Sequence, residues 1–255
     1  SGANAIKLQT YTAETLTLNH KSEDFYITKG PWSGQYMYDL YKDAHTPWEW
    51  HAQLLEIANK IGITLFSSPF DPTAVDFLEE LDMPAYKIAS PEIIDIPLIR
   101  KVAQTKKPII ISTGSATISQ INEVLDCLNN EGIEDFALLK CTSEYPAPPE
   151  DIHLKTIPHM KDNFKCIVGL SDHTMGIGVP VASVAFGAQI IEKHFVMDRN
   201  DKTADSFFSA TPKEFKLLVD SVRTVEKAIG KVNYPIEESE LKRCLIVIND
   251  VKKGD

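Results

Sequence analysis

The chain has 255 residues, 43% of them hydrophobic, enough to bury one large core. Its formal net charge of -10, with four arginines in all (Arg100, Arg199, Arg223 and Arg243), argues against a nucleic-acid surface, whose footprint is a basic patch. The longest apolar segment, residues 177–191, is broken by Gly178, Pro180 and Gly187 and is too short to span a bilayer, so no membrane partner is expected.

Continuous apolar runs at 5–10, 63–67, 85–89, 108–112, 136–141, 167–170 and 189–192 have the character of strands covered on both faces. Between the first two lies an abnormally long connection. Residues 11–44 show no clear helix yet carry Phe25, Tyr26, Trp32, Tyr36, Tyr38 and Tyr41. Loops of this length are functional or disordered, and disordered segments are poor in aromatics. This one is therefore expected to be ordered over the site and to close on ligand.

Helical patterns separate the later strands. Thr46-Pro47-Trp48-Glu49 offers a cap, a proline and a capping-box glutamate before a helix to about Ile61. Asp71-Pro72 repeats the device before a helix to about Leu81. Further helices fit 95–104, 117–130, 154–160, 178–187 and 212–230, the last with Leu217, Leu218, Val222 and Val225 on one stripe. Cys127, Cys141, Cys166 and Cys244 show no close pairing, which favours free thiols and a reducing, cytoplasmic setting.

Strict β-α alternation implies a parallel sheet, open or closed. Seven strands are one short of a (β/α)8 TIM barrel. Because the chain opens on a small-residue turn and a strand, the fold expected is an α/β barrel lacking its first strand. A Rossmann fold is the runner-up, but no G-x-G-x-x-G follows any strand. The barrel domain is expected over 1–236. Residues 237–255, a linker and a strand-like run at 244–251, would begin a second domain.

Barrel enzymes draw their site from strand C-termini. Here those ends spell Lys7 and Gln9; Ser67, Ser68 and Phe70; Lys87, Ser90 and Glu92; and Ser112. They continue with Tyr145, Ser171, His173, Glu192 and His194. Two histidines on neighbouring strand ends can hold a divalent metal with positions left for water or substrate. Two lysines among hydroxyls suit a phosphorylated, carboxylated ligand.

Lys7-Leu-Gln9, Ser67-Ser-Pro-Phe-Asp71, Tyr86-Lys-Ile-Ala-Ser90, Ile111-Ser-Thr-Gly114, Cys141-Thr-Ser143, Gly169-Leu-Ser-Asp-His-Thr174 and Glu192-Lys-His-Phe195 resemble the sialic acid synthase family in order and spacing. The segment 38–51 and Tyr145-Pro-Ala-Pro-Pro149 resemble its pseudaminic acid branch. The resemblance implies condensation of phosphoenolpyruvate with an open-chain N-acetylated amino sugar, releasing phosphate. The branch implies 2,4-diacetamido-2,4,6-trideoxy-altrose as that sugar, with N-acetylneuraminate or legionaminate synthesis as the alternative. By the family pattern His173 and His194 hold the metal, Mn²⁺ before Mg²⁺ or Co²⁺. Lys7, Ser68, Lys87, Ser90, Ser112 and Ser171 would surround phosphoenolpyruvate; Gln9, Phe70, Glu92, Tyr145 and Asp205 would face the sugar. Glu92, His173 and Lys87 would be catalytic, and the enzyme would be a homodimer. The tail resembles the first strand of the antifreeze-like (SAF) domain of that family. Pro91 and Glu144 depart from the family pattern, and the family's first strand is absent. From other classes, a metal-dependent barrel hydrolase or an inactive sugar-binding barrel would use the same residues.

Overall fold

Seven parallel strands lie side by side in chain order in the computed structural model, which describes residues 1–234, 243, 246 and 248–254. They are β1 (Ala5–Thr10), β2 (Thr64–Pro69), β3 (Tyr86–Ile88), β4 (Ile109–Ser112), β5 (Phe136–Cys141), β6 (Ile167–Asp172) and β7 (Ile190–Lys193). Two short helices, α1 (Ala13–Leu16) and α2 (Met37–Ala44), follow β1. The others are α3 (Trp50–Ile61), α4 (Pro72–Glu80), α5 (Ile96–Gln104), α6 (Ile118–Asn130), α7 (Thr156–Phe164), α8 (Gly178–Ala185) and α9 (Pro212–Ile229). A parallel sheet wound in this order, with helices between its strands, is the α/β barrel arrangement. Among the described residues β1 pairs with β2 and β7 with β6, and a cavity of about 900 Å³ lies between β1 and β7 beside α9.

The core lies between sheet and helices. Tyr86, Ile88, Ile109, Ile111, Leu138, Val168 and Leu170 meet Val75 and Leu78 of α4, Leu98 and Val102 of α5, Val124 and Leu128 of α6, and Ile157 of α7. Burying each such side chain contributes about 1.5–3 kcal/mol. Local signals fix where the helices start. Asp71 Oδ1 accepts the Thr73 N–H at 2.7 Å with Pro72 at the first helical position. Thr117 and Gln120 bond each other's backbone N–H at 3.3 and 2.9 Å, opening α6. Pro91 opens a 3-10 turn (Pro91–Ile94), where a missing N–H costs little.

Some expectations need correcting. Residues 11–44 do contain helices, the single-turn α1 and the longer α2, whose cap position is Tyr36 with no side-chain cap bond, so the usual start signal is absent. Helix α3 begins at Trp50 rather than behind Thr46; a turn closed by Trp50 N–H to the Pro47 carbonyl precedes it. The helix expected over 154–160 runs from Thr156 to Phe164. Leu217 is 55% exposed, because at 100° per residue it falls off the stripe centred on Leu218, Val222 and Val225. The strand expected over 244–251 includes Cys244, Leu245 and Val247, which lie outside the described residues, as do residues 237–242 of the linker. Cys127, Cys141 and Cys166 are free thiols. No helix among the described residues is long and apolar enough to cross a membrane.

Candidate active site

Side chains alternate between the two faces of a strand, and the register carries one face across the whole sheet. Lys7 pairs with Phe66 and Gln9 with Ser68, while Ser67 pairs with Tyr86, which sets Ser68 level with Lys87. The same row continues through Ile110 and Ser112, Leu139 and Cys141, Gly169 and Ser171, and Ile190 and Glu192. On these last four strands the apolar or glycine residue sits lower and the polar one stands at the mouth. Gly169 is obligatory in the lower layer: a Cβ there would meet the Ile190 carbonyl oxygen at 2.2 Å and Leu139 at 2.7 Å.

The polar row assembles an anion site. Lys87, 1% exposed, donates to Ser112 Oγ at 2.7 Å and to the Ile88 carbonyl at 3.2 Å. The Lys7 and Lys87 ammonium groups lie 3.5 and 3.6 Å from Glu192 Oε1, which also accepts from Ser171 Oγ at 3.2 Å. Burial pushes the Glu192 carboxyl up, but Lys7, Lys87, His194 and Ser171 outweigh it and hold it down at about 2. Burial drives Lys87 below its ordinary range, with Glu192 pulling the other way. Ser68 Oγ donates to the Lys87 carbonyl at 2.9 Å, and Ser90 Oγ accepts the Gly114 N–H at 3.0 Å. Gly114 keeps this cradle open, since a Cβ there would sit 2.7 Å from Ser143 Oγ and 2.9 Å from Ser90 Oγ.

Beside the cradle the rings of His173 and His194 lie 5.3 Å apart. His173 Nδ1 is 2.8 Å from the Thr142 carbonyl, and His194 Nδ1 is 3.4 Å from Asp205 Oδ2. With the N–H at Nδ1, Nε2 of each ring is the lone-pair nitrogen, the orientation metal-ligating histidines adopt, and the Cys141 side chain also bonds to the His173 ring. Burial pushes His194 down against the pull of Asp205. Burial also acts downward on His173, but Cys141, the Thr142 carbonyl and Glu192 outweigh it and raise it. Among the described residues no group of three or more His, Cys, Asp or Glu is arranged to hold a metal. A divalent ion on two imidazoles would leave its other positions to water or substrate. On the opposite face of the same strand ends, Lys193 donates to Asp172 Oδ2 and to the Thr174 carbonyl, both at 2.6 Å. That buried pair ties β6 to β7 behind the imidazoles.

Aromatic rings wall the outer half. Tyr145 lies 4.3 Å from His173, and Phe208 lies 4.9 Å from His194 and 5.3 Å from Tyr145. From the long connection, Trp32 reaches within 5.4 Å of Tyr145, and Tyr11 within 5.3 Å of Phe70. Glu92 carries a buried Oε2 with no hydrogen-bond partner among the described residues, and burial pushes its carboxyl up.

Residues 1–234 match the model of the NeuB family. The chain belongs to the NeuB family. It is 46% identical over 260 residues to a pseudaminic acid synthase of Campylobacter jejuni, spanning all of this chain and 76% of that protein. It is 41% identical over 261 residues to a pseudaminic acid synthase of Helicobacter pylori, spanning 77% of it. Among solved structures, an N-acetylneuraminic acid synthetase from Leptospira borgpetersenii superposes with a TM-score of 0.80 at 32% identity, covering 93% of this chain and 78% of that one.

In this NeuB-family barrel, most of the residues expected at the mouth fall within one connected set. Lys7, Lys87, Ser112 and Ser171 meet directly or through Glu192, and the two histidines face each other beside them. Ser90 stands at the Gly114 turn, and Gln9 pairs level with Ser68. Asp205, expected against the sugar, lies against His194. Phe70 packs on Tyr11. Glu144 is exposed. Glu192 is central although the sequence placed it only among the strand-end residues and gave it no role, and Phe208 was not singled out from sequence. For Glu192 a signal exists, because it shares a strand face with His194 two residues on. Phe208 sits outside any helix or strand and carries none.

Proposed function

We propose that the chain condenses phosphoenolpyruvate with an open-chain N-acetylated amino sugar, most specifically 2,4-diacetamido-2,4,6-trideoxy-altrose, to give pseudaminic acid and phosphate. The observation that carries this reading is the pair of lysine ammonium groups sharing one carboxylate beside two imidazoles 5.3 Å apart. The likeness to two pseudaminic acid synthases supports the choice of sugar.

In this reading Lys7 and Lys87 supply point charge for the phosphate and carboxylate of phosphoenolpyruvate, which takes the place Glu192 fills. Ser90, Ser112, Ser171 and the Gly114 turn orient its oxygens, and Ser68 holds the Lys87 backbone. The enolpyruvate C3 bonds to the sugar aldehyde carbon, and the aldehyde oxygen takes a proton. Glu92, kept protonated more readily by burial, gives that proton from its unpartnered Oε2. Water adds at C2, one of its protons restoring Glu92, and the C2–O bond to phosphate breaks as the new hydroxyl gives its proton to the departing phosphate and becomes the ketone. His173 and His194 would hold a divalent ion through Nε2, with Mn²⁺ ahead of Mg²⁺ or Co²⁺. Such an ion supplies a Lewis acid for the aldehyde oxygen. Gln9, Phe70 and Tyr145 face the sugar, and Asp205 orients His194. We also read the protein as a cytoplasmic homodimer on the family likeness and the free thiols.

The test is phosphate release from phosphoenolpyruvate with the diacetamido trideoxy sugar or N-acetylmannosamine, divalent metal supplied. Release dependent on the amino sugar supports the reading. No release with any amino sugar overturns it.

A further inference from the structure

The connection between β1 and α3 is more than a cover. Its middle is a hairpin: Tyr26 and Tyr36 form an antiparallel bridge, and Ile27 N–H and Gly34 N–H donate to the Gln35 and Ile27 carbonyls, both at 2.9 Å. Gly30 and Gly34, with φ of +80° and +95°, shape the tip, and Trp32 stands between them. Its indole Nε1–H donates to the Ala204 carbonyl at 2.8 Å, next to the Asp205 that orients His194. Its ring is tilted 57° against Tyr145 at 5.4 Å, and Tyr145 in turn lies 4.3 Å from His173.

Indole has one polar group, a donor, and the Ala204 carbonyl takes it. What Trp32 presents beside Tyr145 is therefore apolar surface, one ring removed from the imidazole pair. We infer that Trp32 is a specificity-determining residue for the sugar, its indole face beside the Tyr145 ring accepting a deoxygenated terminal carbon in preference to a hydroxymethyl group. A hydroxyl turned against the indole face gives up water and gains no partner from it. Discrimination of this kind is on the order of 10–100-fold, as for a hydroxyl offered to an apolar pocket. The inference rests on the synthase reading above, and it adds which part of the sugar is read and by which side chain.

The experiment compares the wild-type full chain with Trp32→Phe and Trp32→Ala, using the 6-deoxy diacetamido sugar and its 6-hydroxy counterpart. Initial phosphate release gives kcat and KM for each sugar and for phosphoenolpyruvate, and calorimetry gives the Kd of each sugar. Wild type should prefer the 6-deoxy sugar. In Trp32→Ala that preference should fall by roughly 10-fold or more, with KM for phosphoenolpyruvate unchanged. Trp32→Phe should keep most of the preference. An unchanged deoxy-to-hydroxy ratio in Trp32→Ala would overturn the inference. Equal losses for both sugars with a raised KM for phosphoenolpyruvate would do so too, by showing a merely structural role. Wild type that releases phosphate with neither sugar would sink the synthase reading itself, and the inference with it.

Discussion

Replacing Glu192 by glutamine removes the anion that sits 3.5 and 3.6 Å from the Lys7 and Lys87 ammonium groups while keeping the side chain's shape. The carboxyl is held at about 2, below its ordinary 4.5, so its ionised form stabilises the fold. That contribution is fully present above the ordinary value and fades as pH falls from about 4.5 toward 2. At about 1.4 kcal/mol per pH unit it amounts to about 3 kcal/mol at pH 7, shrinking to about 1.4 kcal/mol at pH 3. Part of that comes from Lys87, almost fully buried, for which Glu192 is the counter-charge. Urea denaturation of both proteins from pH 7 to pH 3 measures the gap. Added inorganic phosphate should restore more stability to Glu192→Gln than to wild type, because phosphate replaces the lost anion. A gap below about 1 kcal/mol at pH 7, or one that stays constant down to pH 3, would refute the reasoning.

Three further outcomes follow from the same site. His173→Ala or His194→Ala should weaken metal binding at least ~10–100-fold and abolish turnover with little change in Tm; wild-type turnover from either without added metal would remove the ligand role. Glu92→Gln should cut turnover by about 10²–10⁴-fold, the usual worth of a positioned proton donor. It should also raise Tm at pH 7, since the raised carboxyl destabilises the fold once ionised, and this gain should vanish below the ordinary 4.5; a gain that persists in acid would contradict the assignment. Gly114→Ala crowds Ser143 and Ser90, so KM for phosphoenolpyruvate should rise while KM for the sugar holds, with a stability loss of about 1–3 kcal/mol; steady-state kinetics with each substrate varied in turn decides it.

The strands were legible because each is a continuous apolar run ending in polar residues, and the register then turns strand ends into neighbours. Asp71-Pro72 announced its helix because the capping atoms lie close in sequence. Helix α2 was not legible, since Tyr36 caps nothing and the helix depends on its surroundings. In the site, period-2 spacing links Ser171 to His173 and Glu192 to His194. No spacing brings Phe208 to His194, or Trp32 to Ala204 across an interval of 172 residues. Those contacts depend on how two long connections fold back over the mouth, which no short-range pattern encodes.

The depth of the polar row has a kinetic consequence. Ser68, Lys87, Ser112 and Ser171 are buried at the floor, whereas Tyr145 and Trp32 are half-buried above them. A ligand seated against the upper rings blocks the way down, so on the proposed function the enolpyruvate enters first and the sugar second. Phosphate, formed at the floor, leaves after the sugar acid clears the rings. An unreactive analogue of the sugar would then inhibit competitively against the sugar and uncompetitively against phosphoenolpyruvate.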